Sequence, residues 1–249
     1  MMESIHVIVT RQDHPEANSY VEEFTVPYRP NMNIISVLMA IRSHPVTKEG
    51  KKTSPVKWEM SCLEEVCGIC SMLINGKPQQ ACSTLVDKLE HPIRIEPMST
   101  FPVVRDLIVD RQRMFDALKR VKAWIPIDGT YDIGPGPRMA ENKRQWAYEL
   151  SKCFTCGICL EVCPNVNEAT PFLGPFVFSQ IHLKNAHPTG EMNKSERLET
   201  FMGEGGLEWC GNSQNCVQAC PKGIPLTTSI AQINRDSTVQ SFKNFFGDY

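Results

Sequence analysis

What this sequence lacks narrows its role before any motif is read. No window is apolar for long enough to span a bilayer, so any membrane association is expected to be peripheral. Residues 1–9 are too polar, and too soon a strand, for an export signal to be expected. Positive charge is not in surplus: 26 Lys and Arg stand against 28 Asp and Glu, a net charge of -2, which removes the electrostatic basis for binding nucleic acid. There is no dinucleotide fingerprint, catalytic-triad signature or zinc-hydrolase motif, and the Gly- and Pro-rich residues 125–138 lack the lysine and helix start of a phosphate loop. The chain is therefore expected to have no substrate site and no catalytic residues of its own. Cysteine, by contrast, is plentiful, with eleven in 249 residues. An odd count, no export signal and tight spacings argue against a disulfide framework and for metal binding in a reducing compartment.

The densest stretch reads Cys153-x2-Cys156-x2-Cys159-x3-Cys163-Pro164. In bacterial-type ferredoxins such a run gives three thiolates to one iron-sulfur cluster, while the fourth ligates another. A second run is therefore expected. Cys210, Ser213, Cys216, Cys220 and Pro221 repeat the offsets, with serine in the second slot. By the crossed-ligand rule Cys153, Cys156, Cys159 and Cys220 hold a [4Fe-4S] cluster. Only Cys163, Cys210 and Cys216 remain for the other. Serine is a hard oxygen donor that stays protonated near neutral pH, whereas iron-sulfur cores prefer thiolate, so this site is expected to be [3Fe-4S]. An alkoxide-ligated [4Fe-4S] cluster at Ser213 is the alternative.

The remaining cysteines are Cys62-x4-Cys67-x2-Cys70 and the distant Cys82, the plant-type [2Fe-2S] spacing. Gly68 lies where the backbone wraps the cluster, and Asn75-Gly76 predicts a type I′ hairpin turn that carries Cys82 back to the loop. Zinc is the competing reading, since paired C-x2-C knuckles build zinc ribbons. The C-x3-C-P endings and the plant-type quartet favour clusters.

Around these motifs, residues 5–10 and 21–26 read as a hairpin, and Ile34, Val37, Leu38 and Ile41 as a helix ended by His44-Pro45. Residues 48–55 read as a solvated loop and residues 93–97 as a strand. Apolar spacing from Val104 to Val121 predicts a helix over residues 103–124, followed by a connecting loop over 125–138. Further helices are expected over 141–151, 171–184 and 194–202, and a last one capped by Thr227 or Thr228. Phe242, Phe245 and Phe246 read as packing residues. No strand is expected after about residue 110. The six histidines lie outside the cysteine runs, which leaves little support for a histidine ligand.

With all eleven cysteines in order, the chain resembles the iron-sulfur subunit of succinate dehydrogenase and fumarate reductase over essentially its full length. The resemblance implies an α+β chain: an N-terminal β-grasp, plant-type [2Fe-2S] ferredoxin-like domain over residues 1–105 and an all-α bacterial-ferredoxin-like domain over 106–249. It also implies an electron relay in a membrane-bound succinate:quinone oxidoreductase, from covalent FAD in a flavoprotein partner to quinone in a cytochrome b membrane anchor with haem b. The complex is expected on the cytoplasmic face of the cell membrane. Quinol:fumarate reductase is the alternative within the family; a heterodisulfide-reductase-like subunit and a zinc-stabilised binding protein lie outside it. Family members that use ubiquinone carry a tryptophan shortly after the Cys-Pro and a histidine directly after the next cluster cysteine. Here Asn165-Val166-Asn167-Glu168 and Gly211 stand there, which points to menaquinone.

Overall fold

The computed structural model describes residues 4–125 and 138–247. The predicted loop over 125–138 thus lies almost wholly outside the described residues. Among them no helix is long and apolar enough to cross a membrane. They fall into two compact units: one runs to Arg111 and includes Cys156–Glu161, and the other holds the rest.

In the first unit, alternation in Ile5, Val7 and Val9 puts three fully buried side chains on one face of β1 (Ser4–Arg11). This strand pairs antiparallel with β2 (Tyr20–Pro27), then the chain crosses over through α1 (Ile34–Ser43). Asn33 caps α1: its Oδ1 accepts from Ser36 N at 2.9 Å while its Nδ2 donates to Cys82 O at 2.8 Å. Asn33→Ala is expected to cost about 1–2 kcal/mol, because it removes a cap and unpairs that carbonyl. A chemical-denaturation midpoint followed through the cluster chromophore checks it.

The strands β3 (Ser71–Ile74) and β4 (Lys77–Gln80) form the predicted hairpin; Asn75 and Gly76 have φ of 49° and 73°, the left-handed pair that a type I′ turn requires. With β5 (Ile93–Glu96), parallel to β1 and antiparallel to β3, the sheet order is β2-β1-β5-β3-β4. Ile34, Val37, Leu38 and Ile41 of α1 share a core with the sheet, as a β-grasp requires. The α+β reading holds.

The helix expected over 103–124 is only partly there. Val103–Arg105 (β6) and Ile108–Val109 (β7) form a small hairpin, and helix α2 is confined to Gln112–Arg120. Asp106 explains the difference: its φ of 48° turns the chain, and its carboxylate is fully buried against Arg11, with Nε···Oδ1 at 2.8 Å and Nη2···Oδ2 at 3.2 Å.

The second unit is helical around a hydrophobic centre. Helix α5 (Phe176–Ala186) is buried nearly all round and packs against α3 (Glu141–Ser151), α6 (Lys194–Met202) and α8 (Leu226–Phe246). Phe178 meets Phe201 edge to face at 4.8 Å. The short helices α4 (Ile158–Glu161) and α7 (Asn215–Gln218) lie within the two cysteine runs and carry Cys159 and Cys216; α4 belongs to the first unit.

The bounds expected for α3 and α6 hold, but three readings are corrected. Helix α5 begins at Phe176 rather than near residue 171, because Pro171 and Pro175 precede it and Pro175 takes its first-cap position. Thr227 and Thr228 lie inside α8 and cap nothing; the helix starts at Leu226. Phe242, Phe245 and Phe246 are 60%, 82% and 62% exposed and touch mainly one another, so within this chain they are not core.

Candidate metal centres

The plant-type quartet sits on a loop whose backbone coils inward. Leu63, Glu65 and Gly68 have φ of 60°, 56° and 74°, which turns successive amide groups towards the enclosed side. Glu64 N and Val66 N both donate to Cys62 Sγ at 3.4 Å. These donors favour the thiolate and lower the Cys62 pKa to about 7. The hairpin starts directly after Cys70 and ends two residues before Cys82, and Ala81 N donates to Cys70 O at 3.1 Å, so the fourth cysteine returns to the loop. Burial, together with the neighbouring Cys82 and Cys67, pushes Cys70 up to about 12. A buried relay supports it: Gln80 Nε2 donates to Ser71 Oγ at 2.6 Å, and Ser71 Oγ donates to Gly68 O at 2.8 Å.

The two cysteine runs share one backbone design. Thr155 and Gly157, either side of Cys156, have φ of 51° and 86°; Asn212 and Gln214, either side of Ser213, have φ of 53° and 62°. A one-turn helix follows each. Ser213 therefore occupies the same kind of slot as Cys156, with oxygen in place of sulfur. Cys163, Cys210 and Cys216 lie within electrostatic reach of one another: burial, then Cys163 and Cys210, push Cys216 up to about 11, and burial, then Cys210, raise Cys163. Burial and Cys220 likewise raise Cys153. Ile224 N donates to Cys220 Sγ at 3.4 Å.

These donor sets fit iron-sulfur clusters. Cys70, Cys153, Cys163 and Cys216 are held where burial and neighbouring cysteines oppose ionisation, a penalty that a cationic iron core would offset while releasing the protons. Backbone N–H groups aimed at Cys62 and Cys220 are the donors known to tune such sulfurs.

A family model described as a 2Fe-2S iron-sulfur cluster binding domain matches residues 6–116, and one described as a 4Fe-4S dicluster domain matches residues 149–224. The succinate dehydrogenase iron-sulfur subunit of Bacillus subtilis is 69% identical over 98% of this chain and 96% of its own length. The chain belongs to the family of succinate dehydrogenase iron-sulfur subunits. A fumarate reductase iron-sulfur subunit from Wolinella succinogenes is more distant, 28% identical over 87% of this chain and 89% of its own. In the Mycobacterium smegmatis Sdh1 complex, a chain 22% identical covers 97% of this one and 98% of itself with a TM-score of 0.78, which shows the shared fold. Membership makes this chain an electron-transfer subunit of a succinate dehydrogenase with [2Fe-2S], [4Fe-4S] and [3Fe-4S] clusters, in an oxidoreductase complex.

Within the family frame, several supporting residues escape a motif search. Asn165 Nδ2 donates to Trp209 O at 2.8 Å, and Asn215 Nδ2 donates to Val162 O at 3.1 Å, so two asparagines staple one cysteine run to the other. A Cβ on Gly211 would lie 3.1 Å from Asn165 Oδ1, so the residue after Cys210 packs closely against the asparagine that holds Trp209 O. Lys222 lies over the Phe154 ring at 5.5 Å, Trp209 Nε1 donates to Glu208 Oε1 at 3.0 Å, and His182 Nδ1 pairs with Ser229 Oγ at 3.2 Å. Trp209, Asn215 and Lys222 lie within two residues of a cysteine in the sequence, whereas nothing there joins His182 to Ser229.

Gly157 tests the cradle. Its φ of 86° is left-handed, and a Cβ there would meet Met98 Cε at 2.9 Å and Phe101 Cζ at 3.0 Å. Gly157→Ala is expected to cost about 1–3 kcal/mol and to lower cluster content selectively at the [4Fe-4S] site. EPR of the dithionite-reduced complex checks it, since the [2Fe-2S] signal serves as internal standard.

Proposed function

We propose that this chain carries electrons one at a time from FAD, covalently held in a flavoprotein subunit, to menaquinone at a cytochrome b membrane anchor containing haem b. In this reading Cys62, Cys67, Cys70 and Cys82 hold the [2Fe-2S] cluster, within a domain formed by residues 1–105. Cys153, Cys156, Cys159 and Cys220 hold [4Fe-4S], and Cys163, Cys210 and Cys216 hold [3Fe-4S], within residues 106–249. When bound, these clusters supply one-electron redox chemistry at potentials set by type, charge and hydrogen bonding. The residues supply the rest: thiol groups at fixed places, N–H donors on Cys62 and Cys220 sulfurs, and the left-handed turns that keep side chains clear.

The observation that carries the reading is the repeated turn around Cys156 and Ser213, which places one oxygen among otherwise equivalent sulfur slots. Met60, Leu63 and Val66, exposed by 41%, 51% and 54% around the quartet, support a partner docking over the [2Fe-2S] loop, where the flavoprotein is needed. In this reading the subunit is held peripherally by the anchor, on the cytoplasmic face, and the described residues contain no helix long and apolar enough to cross a membrane. The stretch Asn165-Val166-Asn167-Glu168 after Cys163-Pro164, and Gly211 after Cys210, stand where ubiquinone-using members of the family carry a tryptophan and a histidine, which supports menaquinone.

The intact complex is therefore expected to reduce a menaquinone analogue with succinate at least about tenfold faster than a ubiquinone analogue at equal concentration, a difference of about 1.4 kcal/mol in barrier. Equal rates would remove the menaquinone assignment.

A further inference from the structure

Arg111 follows β7 and turns back onto the quartet loop. Its Nη1 donates to Gly68 O at 3.0 Å and its Nη2 to Ile69 O at 2.9 Å, the two carbonyls between Cys67 and Cys70. Its Nε is buried without a hydrogen-bond partner among the described residues, a placement that packing alone does not favour. Burial lowers the Arg111 pKa, and Glu59, Cys156, Cys70 and Cys67 oppose that shift, so cysteines from two different ligand sets face one guanidinium. A guanidinium starts from so high a value that it keeps its charge.

We propose that Arg111 is a positioning residue that clamps the Cys67–Cys70 loop and, through its desolvated positive charge, raises the reduction potentials of both the [2Fe-2S] and the [4Fe-4S] clusters. The proposal rests on the ligand assignment above. Each reduction adds an electron to a site already ringed by thiolates, and a nearby cation out of water favours the reduced form more than it would at the surface.

The test is an EPR-monitored redox titration of the intact complex carrying Arg111→Gln, Arg111→Lys or Glu59→Gln, with iron and labile sulfide measured on each. Arg111→Gln is expected to shift the [2Fe-2S] reduction equilibrium about tenfold towards the oxidised form, about 59 mV for one electron, with the [4Fe-4S] cluster moving the same way. Arg111→Lys, which keeps the charge, should shift the potentials by less than half as much as Arg111→Gln while weakening the two-carbonyl clamp. Glu59→Gln, which removes the facing negative charge, should move both clusters upwards by about two- to threefold. Filled clusters with unchanged potentials in Arg111→Gln would overturn the proposal. If that variant loses its clusters, unmoved potentials in Glu59→Gln overturn it equally. Failure of the ligand assignment looks different: the unsubstituted complex itself would lack the iron, the sulfide or the two signals.

Discussion

Ser213→Cys is expected to convert the [3Fe-4S] centre to [4Fe-4S], abolish the EPR signal of the air-oxidised three-iron cluster, and slow succinate-driven quinone reduction at least about tenfold. The slot is already shaped for a sulfur: left-handed Asn212 and Gln214 flank Ser213 as Thr155 and Gly157 flank Cys156. Only the donor atom differs, and a thiolate holds the fourth iron where a protonated hydroxyl does not. The added iron and thiolate are expected to lower the potential, making the last relay a poorer acceptor. A drop of about 59 mV already gives tenfold in a one-electron equilibrium. If the variant retains the three-iron signal and full turnover, ligand count is not what sets this cluster. Ser213→Ala separates the two readings of the serine itself: no change is expected, whereas an alkoxide-ligated [4Fe-4S] cluster would lose its iron.

The second large effect concerns stability of the first unit. Asp106→Ala is expected to destabilise it by about 3–5 kcal/mol, because it leaves the Arg11 charge buried with one carboxylate fewer. Both side chains are fully buried, and the Asp106 carboxylate accepts from Arg11, from Lys57 N at 2.8 Å and from Gln12 N at 3.3 Å. Glu22 also takes a hydrogen bond from Arg11 Nη1, and Ser54 Oγ accepts from Nη2 at 3.1 Å. Burial alone lowers the Arg11 pKa, but the Asp106 and Glu22 charges outweigh it and the net shift is upwards. Heat-driven bleaching of the [2Fe-2S] chromophore should therefore shift down by roughly 6–20 °C in Asp106→Ala. The double change Arg11→Met with Asp106→Leu should cost less than Asp106→Ala, since it removes both charges together. A shift under about 2 °C in the single variant would show that the pair does not hold β6 and β7 to the sheet.

That pair also shows where sequence reading stopped. Arg11 and Asp106 lie 95 residues apart and belong to no motif, so nothing in the sequence joins them. Without that contact Val104, Leu107 and Ile108 look helical, because spacings of three and four residues fit a helix and two short strands joined by a tight turn alike. The β-branched Val103, Val104, Ile108 and Val109 carry the strand-forming signal that periodicity alone does not weigh. Asn75-Gly76 and the α1 periodicity were legible because their chemistry is local: a turn that needs left-handed residues, and a stripe that needs one apolar face. The cysteine sets were legible for the same reason, since ligand spacing follows loop geometry. Their supports were not. Arg111 reaches back 43 residues to Gly68 and Asn33 reaches forward 49 to Cys82, contacts that only the folded chain brings together. Phe242, Phe245 and Phe246 misled because apolar composition marks a surface a partner covers as readily as a core.

Iron, acid-labile sulfide and zinc content of the purified complex, with EPR of its oxidised and reduced forms, bears most directly on the sorting of eleven cysteines into sets of four, four and three. The expected result is about nine irons and about ten sulfides per chain, no stoichiometric zinc, and signals from one [2Fe-2S], one [4Fe-4S] and one [3Fe-4S] cluster. A chain with zinc bound to its cysteines and no labile sulfide would contradict the account at its root.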